Sequence, residues 1–203
     1  MNSNQARSRI LQKLHTRHNQ DGQQNPKGYS PVRLSSVSEF SENISKNGAL
    51  ITFSADNKTA LQAAKQLCED NEWSQPAVVS PALLQHCRKL QLWSVENNDA
   101  RPAGTVAITQ AFCGISDTGT LLCLSSAANP TSLNFLPEHH IVLLDKKRIV
   151  ERKQDAWAML RNESIAPPRA INLISGPSRT ADIEQTIQLG AHGPRSLTVI
   201  IVG

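Results

Sequence analysis

The chain of 203 residues is 39% hydrophobic, which suffices to bury one sizeable core and favours one main domain with an appendage. Its net charge of +4 is only mildly basic, and with no Lys/Arg tract and one tyrosine it lacks the features of a nucleic-acid-binding surface. No apolar run approaches the roughly 20 residues of a membrane span, and the amino terminus lacks the apolar core of a secretory signal, so we expect a cytoplasmic, or organellar, protein.

The cysteines do not have the spacing of a metal site. Cys68, Cys87, Cys113 and Cys123 are scattered among apolar neighbours, and no Cys-x-x-Cys pair occurs. Pairs at that spacing hold many structural zinc ions and iron–sulfur clusters. We therefore expect buried free thiols in a reducing compartment, and no metal or other cofactor held by this chain.

The first 35 residues differ in pattern from the rest of the chain. Residues 2–17 predict a short amphipathic helix with Ile10, Leu11 and Leu14 on one face. The residues that follow, up to position 36, are polar, contain Gly and Pro and show no periodicity, which is typical of a linker. We predict an N-terminal helix and flexible linker over 1–35 and one α/β domain over 36–203.

From residue 36 onward, helical and strand patterns alternate. The patterns predict helices over 36–47, 56–71 and 81–89, and short strands over 49–53, 77–79 and 91–95. This βαβαβ order indicates a mostly parallel sheet with helices on both faces. Farther along, they predict strands over 105–115, 120–124 and 141–144, a tight turn at 116–119 and a helix over 149–162.

The carboxyl-terminal segment 170–203 predicts a strand, a loop, a helix and a second strand. Apolar runs at 171–174 and 197–202 have the character of buried strands, and Thr180 is a good N-cap for a helix that ends near Leu189. Such a unit is long enough to connect parallel strands. Because a helix rises about 1.5 Å per residue, we expect roughly 15 Å between the loop and His192, at opposite rims.

The loop 175–180 is the first candidate site. Gly176 would let a ligand approach the backbone, and free amides at a helix start attract anions. Arg179 offers a fork of donors for a carboxylate or phosphate, and Ser178 and Thr180 add hydroxyl groups. A solvated arginine in an ordinary turn explains the same residues, and the spacing alone does not decide between the two.

The turn 117–120 is the second candidate. If it opens onto the same end of the sheet, Asp117 becomes a candidate catalytic acid or base, and Thr118, Gly119 and Thr120 become ligand-binding residues. A plain hairpin turn is the alternative. The adjacent pair His139-His140 lacks the spacing of two metal ligands on one helix face, and glycine patterns typical of nucleotide sites are absent.

Taken together, these motifs resemble the LUD domain family. The turn 117–121, the segment 175–184 and the sequence His192-Gly193-Pro194 are similar to that family's pattern, most closely to its lactate-utilisation protein C branch. The resemblance covers 36–203. It implies an α/β fold like that of ribose-phosphate isomerases and coenzyme A transferases.

The resemblance also implies a role. The chain would be a subunit of a system that oxidises lactate to pyruvate together with sister proteins, one of which carries iron–sulfur clusters. It would itself bind a small carboxylate or phosphate-bearing ligand. Two alternatives stay open: a stand-alone enzyme acting on a sugar phosphate or acyl-coenzyme A with Asp117 as its carboxylate, and a non-catalytic protein that binds an organic acid. Homo-oligomer formation also stays open.

Overall fold

The computed structural model describes Arg7, Gln12 and residues 32–90, 105–163, 167–181, 187–189 and 193–203. The chain divides into two compact units, Met1–Pro31 and Val32–Gly203. In the first unit, Arg7 and Gln12 are helical. The remainder of the predicted N-terminal helix, the linker up to position 31 and the predicted strand 91–95 lie outside the described residues.

Helices and strands alternate along the second unit. The helices are α1 (Val37–Lys46), α2 (Asn57–Asp70), α3 (Pro81–Leu90), α4 (Ser132–Phe135) and α5 (Lys153–Asn162). The strands are β1 (Leu50–Ser54), β2 (Ser74–Val79), β3 (Thr105–Gln110), β4 (Cys113–Ile115), β5 (Thr120–Leu124), β6 (His139–Asp145), β7 (Ile149–Val150), β8 (Ile171–Ile174), β9 (Arg179–Ala181), β10 (Ile187–Leu189) and β11 (Ser196–Val202). Among the residues described, no helix has the length and apolarity needed to cross a membrane.

The first two helices begin at side-chain caps that the sequence specifies. The hydroxyl of Ser36 accepts the amide of Glu39 at 3.2 Å, three residues into α1. At the start of α2, the Asp56 carboxylate accepts the Thr59 amide at 2.7 Å, while the Thr59 hydroxyl accepts the Asp56 amide. Such caps satisfy backbone N–H groups that have no partner inside the helix.

A five-stranded parallel sheet forms the centre of the second unit, in the order β1-β11-β6-β3-β2. The predicted mostly parallel sheet is thereby confirmed. One face of this sheet packs against α2 and α3. The fully buried residues of this core include Leu61 and Ala64 of α2, Leu83 of α3, and Ile108, Ile141 and Ile200 of the sheet.

The other face is shared between a helix and a second sheet. Phe40 and Ile44 of α1 contact this face together with Leu121 of β5, and Val142, Leu144 and Val199 line it from the central strands. The second sheet has four strands in the order β7-β4-β5-β8. Its far side packs on α5 in a third core that includes Ile115, Leu122 and Ala156. The sequence patterns did not predict this second sheet as a separate layer.

The predicted single strand over 105–115 is two strands in two sheets. The amide of Ala111 still donates to Leu143 of the central sheet at 2.9 Å, whereas the next amide, of Phe112, donates to Leu122 of the second sheet at 2.8 Å. The chain therefore changes sheets between these residues. Both short strands are buried, so the apolar residues continue from one strand into the next and the sequence resembles a single strand.

The predicted helix over 149–162 also begins later than expected. Ile149 and Val150 form β7, which pairs with β4, and the helix starts only at Lys153. Both residues are buried in the cores on either side of the second sheet, which explains why they resemble the inner face of a helix.

The predicted helix from Thr180 to Leu189 is wrong. Arg179–Ala181 and Ile187–Leu189 are antiparallel strands, with Thr180 opposite Gln188. β8 and β11 are not parallel neighbours either, since β8 pairs antiparallel with β5 and β11 lies in the central sheet. The capping pattern at Thr180 was only a weak local preference, and the strand pairing with 187–189 overrides it.

Candidate functional site

The two sequence motifs meet at one place in the structure. The hydroxyls of Thr118 and Thr120 share a hydrogen bond of 2.8 Å, and the Thr120 hydroxyl lies 2.8 Å from that of Ser175. The amide of the Asn47 side chain, at the end of α1, donates to the Thr118 carbonyl at 3.0 Å. A chain of three hydroxyl groups thus links the turn 117–120 to the loop after β8, beside the carboxyl end of α1.

Two glycines of these motifs are in close contact with the backbone of α1. A Cβ on Gly119, which has φ +58°, would overlap the backbone nitrogen of Ile44. A Cβ on Gly176 would lie 2.5 Å from the carbonyl oxygen of Asn47. The close approach that the sequence analysis assigned to a ligand is made here by the protein's own backbone, so both glycines have a packing role.

Arg179 also lies at the end of α1. A Cβ on Gly48, directly after that helix, would overlap the guanidinium of Arg179, although the arginine remains exposed. A cation is favourable at a helix carboxyl end because the last carbonyls carry partial negative charge. No helix begins at Thr180, so the free amides expected of a helix start are not supplied there.

The loop 175–178 and the Gly193-Pro194 segment are neighbours. The Ser178 amide donates to the Pro194 carbonyl at 2.8 Å, and a Cβ on Gly193 would lie 3.1 Å from that of Ser178. The expected separation of the two motifs across a helix is therefore wrong at these residues, because the helix on which it depended does not form. His192 itself lies outside the described residues.

A cavity of about 230 Å³, which we call the loop cavity, opens beside these segments. It lies near the amino-terminal ends of β6 and β11, and α4 contributes to its wall. Its lining includes Asn134, His140, Ser175, Gly176, Ser178 and Pro194. Of the predicted site residues, Gly176 and Ser178 therefore border the cavity directly, and Thr120 is linked to it through Ser175.

His140 is the residue of this cavity that the sequence analysis missed. It is 1% exposed, its Nε2 lies 2.8 Å from the Thr109 hydroxyl, and its Nδ1 has no hydrogen-bond partner among the described residues. Burial lowers the pKa of His140 from 6.5 to about 4, so the ring is neutral at neutral pH. A neutral imidazole with an unpaired nitrogen can accept a hydrogen bond from a ligand or receive a proton.

The neighbouring His139 has a different environment. Its ring stacks on Trp73 with 4.1 Å between centroids, and its Nδ1 lies 2.8 Å from the hydroxyl of Ser196. Consecutive side chains of a strand point to opposite faces, so the pair cannot act together on one ligand. Alternation along β6, which puts His140 on the face of Val142 and Leu144, was the signal that could have distinguished the two histidines.

The comparison with protein families decides the family. The family model described as the LUD domain matches residues 37–202, nearly the whole second unit. The chain belongs to the LUD domain family. The resemblance drawn from the three sequence segments is thereby confirmed.

Two curated relatives of this LUD domain match its sequence over part of their length. A lactate utilization protein C of Anoxybacillus flavithermus is 31% identical over 107 residues, which are 53% of this chain and 48% of that protein. An uncharacterized protein of Neisseria meningitidis is 36% identical over 118 residues, which are 57% of this chain and 48% of that protein. The chain spans about half the length of the curated relatives it matches.

A solved structure has the same fold. The crystal structure of a DUF162 family protein from Deinococcus radiodurans matches 82% of this chain and 96% of its own, with a TM-score of 0.55 and 19% identity. At that identity the similarity shows the α/β fold alone.

The remaining candidate of the LUD domain, Asp117, faces solvent. Its amide donates to the carbonyl of Glu151 at 3.1 Å, and it is not among the described residues that line the loop cavity. Its assignment as an acid or base stays a prediction. Within the described ranges, no group of three His, Cys, Asp or Glu side chains has the geometry of a metal site.

Proposed function

We propose that this LUD domain serves in lactate utilisation and binds a small carboxylate in the loop cavity. The name of the relative from Anoxybacillus flavithermus supports the role. The observation that carries the choice of site is His140, because it has a buried ring nitrogen without a partner, which is unusual, and because the residue lines the same cavity as Gly176 and Ser178.

The size of the cavity supports a ligand of a few carbon atoms. Its volume of about 230 Å³ is below the roughly 300–1,000 Å³ of sites for drug-sized ligands. A 2-hydroxy acid has a carboxylate and a hydroxyl on adjacent carbons. With the proton of His140 on Nε2, directed to Thr109, Nδ1 would accept the ligand hydroxyl, and Ser175 and Ser178 would donate to the carboxylate.

The other predicted ligand residues support this site from the outside. Thr118, Gly119 and Thr120 hold Ser175 through the hydroxyl chain and the packing on α1. Arg179 follows Ser178 in the chain, but its guanidinium lies against Gly48 at the end of α1, and it stays a candidate on its position in the motif. Thr180 has its backbone in β9, directly after Arg179, and stays a candidate on its position alone.

We infer that the redox centre of the proposed reaction belongs to a partner, an iron–sulfur protein of the same system, and that this chain holds no cofactor. The absence of Cys-x-x-Cys spacing in the sequence supports this division. Cys68, Cys113 and Cys123 are buried and reduced, in agreement with a reducing, cytoplasmic compartment. The chain would then act as a subunit that binds the organic acid.

The test combines reconstitution with ligand binding. The chain is co-purified with its candidate sister proteins, and lactate-dependent dye reduction is compared with and without it. In parallel, calorimetry measures lactate and pyruvate binding to the chain, to His140→Gln and Ser178→Ala, and to the exposed control His86→Gln. We expect weaker binding in the first two variants only. The proposal would be contradicted if the rate of dye reduction were the same with and without the chain and neither lactate nor pyruvate showed saturable binding.

The same experiments separate the alternatives. Binding of an organic acid without any effect on dye reduction would indicate a non-catalytic binding protein. Turnover of a sugar phosphate or acyl-coenzyme A by the isolated chain, abolished by Asp117→Asn, would indicate a stand-alone enzyme instead.

A further inference from the structure

A second, larger cavity opens at the carboxyl end of β3. Its volume is about 520 Å³, and we call it the arginine cleft, after its polar lining of Gln110, Ser125, Ser126, Asn129, Arg148 and Arg169. We propose that the arginine cleft binds an organic anion, a phosphate ester or a carboxylate, that carries a hydroxyl beside its charged group.

The charge of the cleft favours an anion. Arg148 and Arg169 both line it, and none of the described lining residues is acidic. Arg148 shares its charge with Glu163, at 2.8 Å from Nη2, whereas Arg169 is exposed and has no ion pair within the described part of the chain. The lining therefore carries positive charge that no described acidic residue compensates. In a partly enclosed cavity, the attraction of this charge for an anion exceeds that in bulk water.

Arg148 is held in place before any ligand arrives. Its guanidinium lies over the Phe112 ring, 4.4 Å from the centroid, and its Nε–H donates to the Phe112 carbonyl. The bond to Glu163 fixes a second nitrogen. A side chain that is already ordered loses little conformational entropy on binding, so this arginine suits a binding site better than a freely moving one.

Asn129 is the reason for proposing a hydroxyl group on the ligand. Its side-chain oxygen is buried and has no hydrogen-bond partner among the described residues, although the residue lies in a well-held turn. The backbone amide of Asn129 donates to the carbonyl and the hydroxyl of Ser126, and the backbone amide of Ser126 donates to the Asn129 backbone carbonyl. An unpaired buried polar atom costs free energy, which a ligand group would recover. A hydroxyl both donates and accepts, so it fits either orientation of the amide.

The position of the cleft agrees with a ligand site and separates it from the loop cavity. Gln110 ends β3, and open α/β sheets bind ligands beyond the carboxyl ends of their parallel strands. The loop cavity instead borders His140, near the amino end of β6. The inference about the arginine cleft therefore does not depend on the proposed function.

The test uses minimal ligands in matched pairs on the full chain. Calorimetry measures binding of glycerol 3-phosphate and glycerate, each compared with its counterpart without hydroxyl groups, which is propyl phosphate for the first and propionate for the second. We expect saturable binding of at least one hydroxylated anion and weaker binding of its counterpart. The pair of probes that binds more tightly shows whether the cleft prefers a phosphate ester or a carboxylate. The natural ligand should be larger than these probes, since about 520 Å³ lies within the range of sites for larger small molecules.

Three variants decide where the probe binds. Arg169→Gln should weaken binding about tenfold or more, because a hydrogen bond to a charged group is lost. Asn129→Ala should remove the preference for the hydroxylated member of the pair. Lys153→Gln, an exposed change of equal charge on α5, should leave binding unchanged.

Several results would overturn the inference. No saturable binding of any of the four probes would do so, as would equal losses in Arg169→Gln and Lys153→Gln. Loss in Ser178→Ala without loss in Arg169→Gln would assign the probes to the loop cavity and exclude the cleft. Failure of lactate binding in the loop cavity, in contrast, leaves this inference unaffected.

Discussion

The hydroxyl of Thr120 lies 2.8 Å from the hydroxyl of Ser175, and this hydrogen bond joins two segments that are 55 residues apart in the chain. The bond follows directly from the register of the second sheet, in which Leu121 lies opposite Ile174. The next pair outward along these antiparallel strands is Thr120 and Ser175. Strand pairing therefore brings the two sequence motifs together.

Loss of this bond should destabilise the protein by a measurable amount. Thr120 is 2% exposed, and Thr120→Val keeps its shape while removing the hydroxyl. We expect the free energy of unfolding to fall by about 0.5–1.5 kcal/mol, the usual net contribution of a hydrogen bond. Urea denaturation measures the change. Thr52→Val, at an exposed threonine of β1, is the control, and an equal effect of the two substitutions would contradict the prediction.

The glycine of the hairpin turn should matter even without a ligand. In Gly119→Ala, the alanine backbone would have to adopt φ +58°, and its Cβ would overlap the backbone of Ile44. We expect a loss of at least about 2 kcal/mol in the free energy of unfolding of the ligand-free protein, since such strained conformations cost roughly 1–3 kcal/mol before any overlap. Thr118→Ala, in the same turn but exposed, should cost much less.

The same experiment distinguishes packing from ligand approach. If Gly119 were required only for a ligand, Gly119→Ala would leave the stability of the free protein unchanged and reduce only binding. Chemical denaturation without ligand separates the two explanations.

His140 should make stability depend on pH below neutrality. Burial lowers its pKa from 6.5 to about 4, so between these values the unfolded chain binds a proton that the folded chain excludes. The free energy of unfolding should therefore fall as the pH falls from 6.5 towards 4, by roughly 3 kcal/mol from this residue, at about 1.4 kcal/mol for each pH unit. Above pH 6.5 the residue contributes no pH dependence.

Denaturation curves across this pH range provide the check. His140→Gln should show a shallower pH dependence than the unmodified protein. The exposed His86→Gln should retain the original slope. An unchanged slope in His140→Gln would mean that the buried ring does not resist protonation.

The buried thiols should be unreactive in the folded protein. Burial raises the pKa of Cys113 and of Cys123 to about 12, and that of Cys68 to about 11. Only the thiolate reacts readily, so in a Cys87→Ser background we expect very slow labelling by a disulfide reagent at neutral pH. After denaturation, all three thiols should react. Rapid labelling of any of them in the native protein would be contrary to this expectation.

Much of the fold could be predicted because its signals are local. Ser36 and Asp56 mark the starts of α1 and α2 through caps that act within three residues. Apolar runs at 141–144 and 197–202 identified two central strands. The prediction failed at the Thr180 segment, where a good helix cap is present but Arg179 pairs with Leu189 in two antiparallel strands.

The candidate site was predictable only in part. Gly176 and Ser178 stood out through their motif, and they do border a cavity. His140 did not stand out, because a histidine in an apolar run is usually just a core residue, and only the packing around it leaves its Nδ1 without a partner. The arginine cleft was not predicted at all, since Asn129, Arg148 and Arg169 come from three separate segments.

The sequence by itself determined the family, the helices that carry their own caps and the mostly parallel sheet, because capping, periodicity and short motifs depend on neighbouring residues. Only the tertiary structure decided that the run 105–115 divides between two sheets and that the 117–120 and 175–178 segments meet on α1. Those outcomes depend on hydrogen bonds and packing between residues far apart in the chain, such as Ala111 with Leu143 and Gly176 with Asn47. A local sequence pattern cannot predict such contacts, because their free energy depends on residues outside the pattern.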